Sequence, residues 1–402
     1  MRGRHTVSGR REAGKIRARL MTVALIAVLT LPGCNWIRGW GEPEPGDPAE
    51  LVKFEPSVKV RKIWSTDIGD GMGEIGLTMP PVYADGQLYA ADYEGRLMAV
   101  DADDGRRIWE VKTKLPFSGG PGVGASLVVM GTIDGGVVAF NADSGSQMWT
   151  ARVSSEVLAV PGVTDDVVVV RSIDGRVFGL DASNGARLWI YDHSVPLLTL
   201  RGNANILVRG STVFVGYDDG SVSALRLDDG SLIWNQAIAS PDGRTELERL
   251  ADIGDQMVIV ASDLIVSSYK NRVVSLAADS GRLLWFKEIS SATGVQVDRT
   301  NLAVADQIGD VWLLDRRNGS TMWKIDQLTN RGVTRPAFYG DMLVVGDQEG
   351  YLHWIDLEEG RFVAREREGR NGFATAPLTV GTTLYVLTRK GNLAAYRAGA
   401  AL

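Results

Sequence analysis

The 402-residue chain has one cysteine, Cys34, and three histidines, His5, His193 and His353. A single thiol excludes an internal disulfide, and no zinc motif can be assembled from so few soft ligands. No glycine-rich phosphate loop and no serine nucleophile elbow is present. The apolar run Leu20–Leu31 is 12 residues long and is interrupted by Thr22 and Thr30, whereas a membrane-spanning helix needs roughly 20. Positive charge is also in deficit, with a formal net charge of -6. That balance argues against a nucleic-acid partner. Aspartate and glutamate are plentiful but sit largely in turns such as Asp218-Asp219-Gly220, where Asp is a turn former. His193 and His353 read as a surface and a packed histidine. The expectation is a binding scaffold without a cofactor, and not an enzyme.

The position of the lone thiol carries information. Residues 2–19 hold seven basic side chains and only Glu12 against them, and the short apolar run follows. A basic segment, a short apolar segment and a small residue make a secretory signal. Leu31-Pro32-Gly33-Cys34 resembles the bacterial lipobox, which implies cleavage before Cys34 and its acylation. Removing residues 1–33 takes away seven positive charges and one negative, moving the net charge from -6 to -12. Membrane affinity then comes from the acyl chains, at about 0.8 kcal/mol per buried CH₂. In lipoproteins of this kind an Asn after the cysteine, here Asn35, points to the outer membrane. Residues 34–55 contain the Pro-, Gly- and Glu-rich stretch GEPEPGDPAE and are expected to be a flexible tether.

The remainder repeats. DADDGRRIW ends at Trp109, NADSGSQMW at Trp149, DASNGARLW at Trp189 and RLDDGSLIW at Trp234. AADSGRLLW ends at Trp285, DRRNGSTMW at Trp323, and DLEEGRFVA at Ala364, where the tryptophan is replaced. The spacings between tryptophans are 40, 40, 45, 51 and 38 residues, the period of a propeller blade. Each unit contains four short strands separated by Asp-Gly-type turns, as in residues 81–112. Val60–Trp64 matches a fourth strand with no third before it, and Lys390–Tyr396 matches a third with no fourth after it. Together they complete an eighth unit. The expectation is an all-β, eight-bladed β-propeller over residues 56–398, closed by both ends of the chain. The recurring tryptophans are expected at blade junctions as packing residues.

Two connections are longer than the rest. One holds Ser194-Val195-Pro196-Leu197-Leu198-Thr199-Leu200-Arg201-Gly202, the other Arg244-Thr245-Glu246-Leu247-Glu248-Arg249-Leu250-Ala251-Asp252-Ile253-Gly254-Asp255. Both follow a tryptophan strand, so both emerge on one face of the ring. Leucine and arginine together on long loops fit a protein-binding patch, and a satellite cluster under the loops is the alternative. The Gly-x-x-x-Trp repeat resembles the blades of pyrroloquinoline-quinone dehydrogenases, which makes a quinone-dependent oxidoreductase the rival reading. Those enzymes often carry a disulfide between adjacent cysteines, and this chain has no second cysteine. A cell-envelope sensor or adhesion module is the third reading.

From the lipobox through the last blade the chain resembles the BamB family, the propeller lipoproteins of the outer-membrane β-barrel assembly complex. The two loops and Val344–Trp354 carry the resemblance. It implies an outer-membrane scaffold on the periplasmic side that binds the POTRA region of BamA, and through it the other subunits. It leaves open direct contact with unfolded barrel proteins. By the same resemblance, contact roles fall to Leu198, Leu200, Arg201 and Asp252, with Arg249 on the second loop. The family has a second acid where this chain has Gly254, and Asp255 is the candidate substitute.

Overall fold

The computed structural model describes residues 46–73, 77–196, 198–200, 204–239, 244–245, 247–270, 272–373 and 375–401. The signal segment, Cys34 and Arg201 lie outside the described residues. The unit from Pro48 onward holds eight four-stranded antiparallel sheets. Among the described residues the only helical element is the 3-10 turn Leu247–Arg249. Blades 1 to 7 span residues 82–112, 117–152, 162–191, 207–237, 258–287, 295–325 and 337–367. Blade 8 orders Val58–Asp67, Asn392–Ala401, Thr383–Leu387 and Leu378–Val380 from the rim inward. The expected closure by both ends of the chain is therefore present.

Local chemistry explains why the repeat folds this way. In blades 1, 2, 3, 6 and 7 the turn between third and fourth strands begins with Asp or Asn (Asp101, Asn141, Asp181, Asp315 and Asp356), whereas Arg226 and Ala277 hold that position in blades 4 and 5. The Asn141 side chain accepts from the backbone N–H of Asp143 at 3.1 Å and of Ser144 at 2.9 Å, an Asx-turn. The turn ends on a left-handed glycine such as Gly145, φ 70°. One residue of register is then lost, for example between Ala139 and Phe140. The resulting bulge aims the tryptophan of the fourth strand at the next blade.

That indole lies over the turn glycine of the next blade. A Cβ on Gly145 would stand 2.6 Å from the Trp109 ring, and one on Gly185 would stand 2.5 Å from Trp149. The indole N–H then donates to a backbone carbonyl of the same turn, Trp109 to Ala142 and Trp149 to Ala182, both at 2.8 Å. Trp64, Trp189, Trp234, Trp285 and Trp323 repeat the arrangement. The G-x-x-x-W spacing is thus a contact rule between neighbours. The apolar residues between blades form the core: Val128, Met130 and Phe140 pack with Trp109 and Met98, and Val168, Val170 and Phe178 with Trp149.

The junction between blades 7 and 8 is built differently. Ala364 pairs across the sheet with Trp354, where the other blades place a smaller residue opposite the tryptophan, such as Ala139 opposite Trp149. The indole is thus displaced onto the third strand. It is 1% exposed and meets Tyr396 of blade 8 edge-on at 6.3 Å. Tyr339 donates to the Thr382 carbonyl at 2.6 Å and accepts from the Ala398 N–H at 2.9 Å. Glu368 accepts from Lys62, Asn392 and Tyr396, all in the two closing strands.

The segment expected to be a spacer up to residue 55 is docked from Ala49 onward. Ala49 donates to Thr329 at 2.9 Å, and its carbonyl accepts from Arg331 at 2.9 Å. Arg365 donates to the Val52 carbonyl at 2.9 Å, Phe54 stacks on Phe362 at 5.8 Å, and Ser57 donates to Val363. The composition that suggested flexibility is offset by the Phe54–Phe362 stack and by Arg331 and Arg365.

Beneath this strap lies a buried polar knot. The fully buried His353 places Nε2 3.1 Å from Asp347 and accepts at Nδ1 from Arg365 at 3.1 Å. Its imidazole is therefore neutral, with the proton on Nε2. Burial pushes its pKa below the ordinary value, against the opposing pull of Asp347. Burial alone would raise the Asp347 carboxyl. The hydrogen bonds from His353 and Tyr351, with the Arg331 charge, hold it below the usual range instead.

Candidate functional site

The two long connections lie side by side and are joined by backbone. Asn205 donates to the Asp255 carbonyl at 2.8 Å, and Met257 donates to the Asn205 side chain at 2.7 Å. Behind them the interior is closed by Ala204, Ile206, Leu250, Ala251 and Ile253, all under 8% exposed. Leu198 and Leu200 do not join that cluster. They are 44% and 41% exposed, so the reading of these leucines as loop packing is set aside. Leu250 is the leucine that packs underneath.

Asp252 occupies a different place from the one a contact residue would take. It is 2% exposed, and its carboxylate accepts the Leu200 N–H at 2.8 Å. Its carbonyl accepts from Tyr269, and Ile253 donates to Tyr217 at 3.2 Å. The acid of one loop thus fixes the backbone of the other at the point where Leu200 turns outward. Such a carboxylate–amide bond is charge-assisted and stronger than a neutral one.

Gly254 stands where the resemblance leads one to expect an acid. A Cβ there would lie 2.4 Å from the Ser267 hydroxyl and 3.0 Å from the Gly294 nitrogen. A side chain at this position would have to displace the Ser267 hydroxyl and press on the Gly294 backbone. Asp255 is not brought onto the leucine patch either. It lines the axial channel with Arg335, Asn205, Gln256, Thr293 and Thr375, around a cavity of about 90 Å³. Burial in that channel pushes the Arg335 pKa down to about 10, and Asp255 opposes the shift. Arg335 also donates to Gln296 at 2.6 Å.

Arg249 ends the short turn Leu247–Arg249 and is exposed. The turn has a capping box: Glu248 accepts from the Arg244 and Thr245 amides, and Thr245 accepts from the Glu248 amide at 3.2 Å. The Thr-x-x-Glu spacing is visible in the sequence and was the available signal for this turn.

His193, expected at the surface, is largely covered. It stacks on Tyr217 with ring centroids 3.8 Å apart, and its Nε2 lies 2.8 Å from Asp219. It precedes Leu198 by five positions and is drawn under the turn of the next blade. The Tyr-Asp-His stretch gave no indication of this, since its partners are more than 20 residues away.

The patch is therefore an exposed pair of leucines on a backbone held from below, with Arg249 nearby in sequence to the buried acid. It can bind an apolar surface. Among the described residues no group of three His, Cys, Asp or Glu side chains is placed to hold a metal ion.

Relatives agree with this architecture. The profile of the family described as "Outer membrane protein assembly factor BamB" matches residues 59–115 and 93–325. The factor of that name from Pseudomonas aeruginosa is 49% identical over 349 residues, covering 87% of this chain and 92% of the relative. That from Xanthomonas campestris pv. campestris is 45% identical over 393 residues, covering 93% and 97%. That from Escherichia coli is 35% identical over 387 residues, covering 93% and 98%. The crystal structure of BamB from Moraxella catarrhalis superposes with a TM-score of 0.77 at 25% identity, covering 84% of this chain and all of that one. The quinohemoprotein alcohol dehydrogenase of Comamonas testosteroni superposes at 0.67 with 13% identity, covering 84% and 76%, and shares the fold alone. With sequence kinship and blade count in agreement, the chain belongs to the BamB family of outer membrane protein assembly factors, and it is a scaffold, not an oxidoreductase.

Proposed function

We propose that this assembly factor binds the periplasmic POTRA region of BamA through Leu198 and Leu200, and is held at the periplasmic face of the outer membrane by acyl chains on Cys34. Arg201, next in sequence to Leu200, and Arg249 are the charged members of the contact set. Asp252 acts from beneath, as the acceptor that sets the Leu200 backbone, and Asp255 belongs to the channel and falls outside the contact set. The carrying observation is the exposure of both leucines, 44% and 41%, over a carboxylate that is 2% exposed. A leucine pair presented outward on a long loop can anchor a partner, and well-packed anchors of this kind cost about 2 kcal/mol or more when truncated.

The test is titration of purified POTRA region against variants, with circular dichroism and melting as controls. Leu200→Ala with Arg201→Ala is expected to weaken binding at least ~30-fold. Asp252→Ala is expected to weaken it as well, and Asp255→Ala to leave it unchanged. Wild-type affinity in the folded double variant would overturn the site.

A further inference from the structure

We infer that His193 is a positioning residue for the leucine patch, acting as a latch that joins the start of its loop to the blade-4 turn Tyr217–Ser221. The inference rests on the binding role proposed for Leu198 and Leu200.

His193 leaves blade 3 just after its last strand, Arg187–Tyr191. Its ring lies flat on Tyr217, 21° from parallel, and Tyr217 is itself fully buried. Its Nε2 is 2.8 Å from the Asp219 carboxylate and 3.4 Å from the Ser221 hydroxyl, which in turn donates to Asp219 at 2.6 Å. Burial would raise the Asp219 carboxyl, but the bonds from His193 and Ser221 hold it below its usual range. On the other side the His193 carbonyl closes on Gly175, where a Cβ would stand 2.2 Å away. The imidazole side chain is 14% exposed. It is too covered to meet a partner broadside and too well engaged to swing.

The same turn reaches the second loop. The Tyr217 carbonyl accepts from Ile253, the residue after Asp252. A continuous path therefore runs from His193 through Tyr217 and Ile253 to Asp252, and from Asp252 to the Leu200 amide. The loop is held near its start by the histidine and near Leu200 by the acid, and both holds converge on one blade-4 turn. Fixing a loop before binding lowers the ordering cost that would otherwise reduce affinity.

Two variants and two readouts test the latch. His193→Ala removes the stack and the hydrogen bond. Asp219→Ala removes the acceptor without changing the loop sequence. Each is expected to weaken POTRA binding by about 10-fold and to accelerate amide hydrogen exchange at Leu198–Leu200, with the melting temperature close to wild type. His193→Phe keeps the stack and is expected to recover part of both losses. Leu200→Asp serves as the control for the patch. If Leu200→Asp abolishes binding while His193→Ala and Asp219→Ala bind and exchange as wild type, the latch is overturned and the patch stands. If Leu200→Asp binds normally, the functional reading falls, and the exchange rates alone decide whether the latch orders the loop. Unchanged exchange in both variants overturns it in either case.

Discussion

Seven of the eight blade junctions are fastened by an indole lying over a glycine, and the eighth is not. The difference shows what the tryptophan is for. Each of the seven rings needs a receptacle, the glycine turn joining the third and fourth strands of the following blade. Blade 8 has no such turn, because its third strand, Asn392–Ala401, and its fourth, Val58–Asp67, come from opposite ends of the chain. A tryptophan at position 364 would have neither a glycine to cover nor a turn carbonyl to bond. The alanine there is the consequence, and the indole is found across the sheet at Trp354, with no hydrogen-bond partner for its N–H among the described residues. The tryptophan therefore follows the turn it docks on, and not the strand that carries it.

The most severe way to break this comparison is to remove the eighth junction. Deleting residues 391–402 takes away a strand from inside the closing sheet and exposes two unpaired edges. The truncated protein is expected to aggregate or lose its cooperative melting, and monomeric behaviour with an unchanged melting temperature would contradict the closure. Trp149→Ala, at a regular junction, is expected to cost about 3–5 kcal/mol, read by denaturant titration. Ala364→Trp is the converse change. With Trp354 already in the space, overpacking is expected to cost about 1–3 kcal/mol, and a stabilised variant would show that the junction lacked only the residue.

A finer test compares Trp149→Phe with Trp354→Phe. Both shrink a buried ring, but only the first strands a carbonyl, that of Ala182. The first should exceed the second by about 1–3 kcal/mol, the usual cost of an unmade buried hydrogen bond. Equal losses would mean that the indole N–H adds nothing at the regular junctions. The smallest effect concerns pH. Burial lowers the His353 pKa, so below about 6.5 the unfolded chain takes up a proton that the folded chain resists. Stability is expected to fall as pH drops from 6.5 toward the folded value, and to be flat above it as far as this group is concerned. The lowered Asp347 pKa adds a second loss in the same direction below about 3.8. Melting of His353→Gln at pH 7.5 and 5.5 should show a smaller drop than wild type, and an equal drop would remove His353 from the account.

The architecture was legible because its signals are local and repeated. Gly and Trp at fixed offsets encode a left-handed residue and a ring for the neighbour, an Asp or Asn opens the turn in five of the seven repeats, and the copies reinforce one another. The eighth unit was legible from its two halves. The displaced Trp354 was not, since Ala364 looks like a loss until the cross-strand pairing is seen. The docked strap was also hidden. Pro, Gly and Glu in GEPEPGDPAE read as a spacer, and what fixes residues 49–57 is Arg331, Phe362 and Arg365, far along the chain. At the site, exposed leucines and an arginine on a long loop could be read directly. That Asp252 is buried, that Gly254 is closely packed against Ser267 and Gly294, and that Asp255 turns into the channel all depend on neighbouring blades. No pattern within the loop contains that information.

The velcro of blade 8 also sets an order in time. Its third and fourth strands pair residue 58 with residue 401, the longest loop closure in the fold, and such non-local pairings form slowly. Blades 1 to 7 can each form from contiguous sequence as the chain emerges, whereas the ring cannot close until its last strand has arrived. Until then Val58–Asp67 and Thr383–Leu387 are open sheet edges, and they are the surfaces that a chaperone in the same compartment would have to guard.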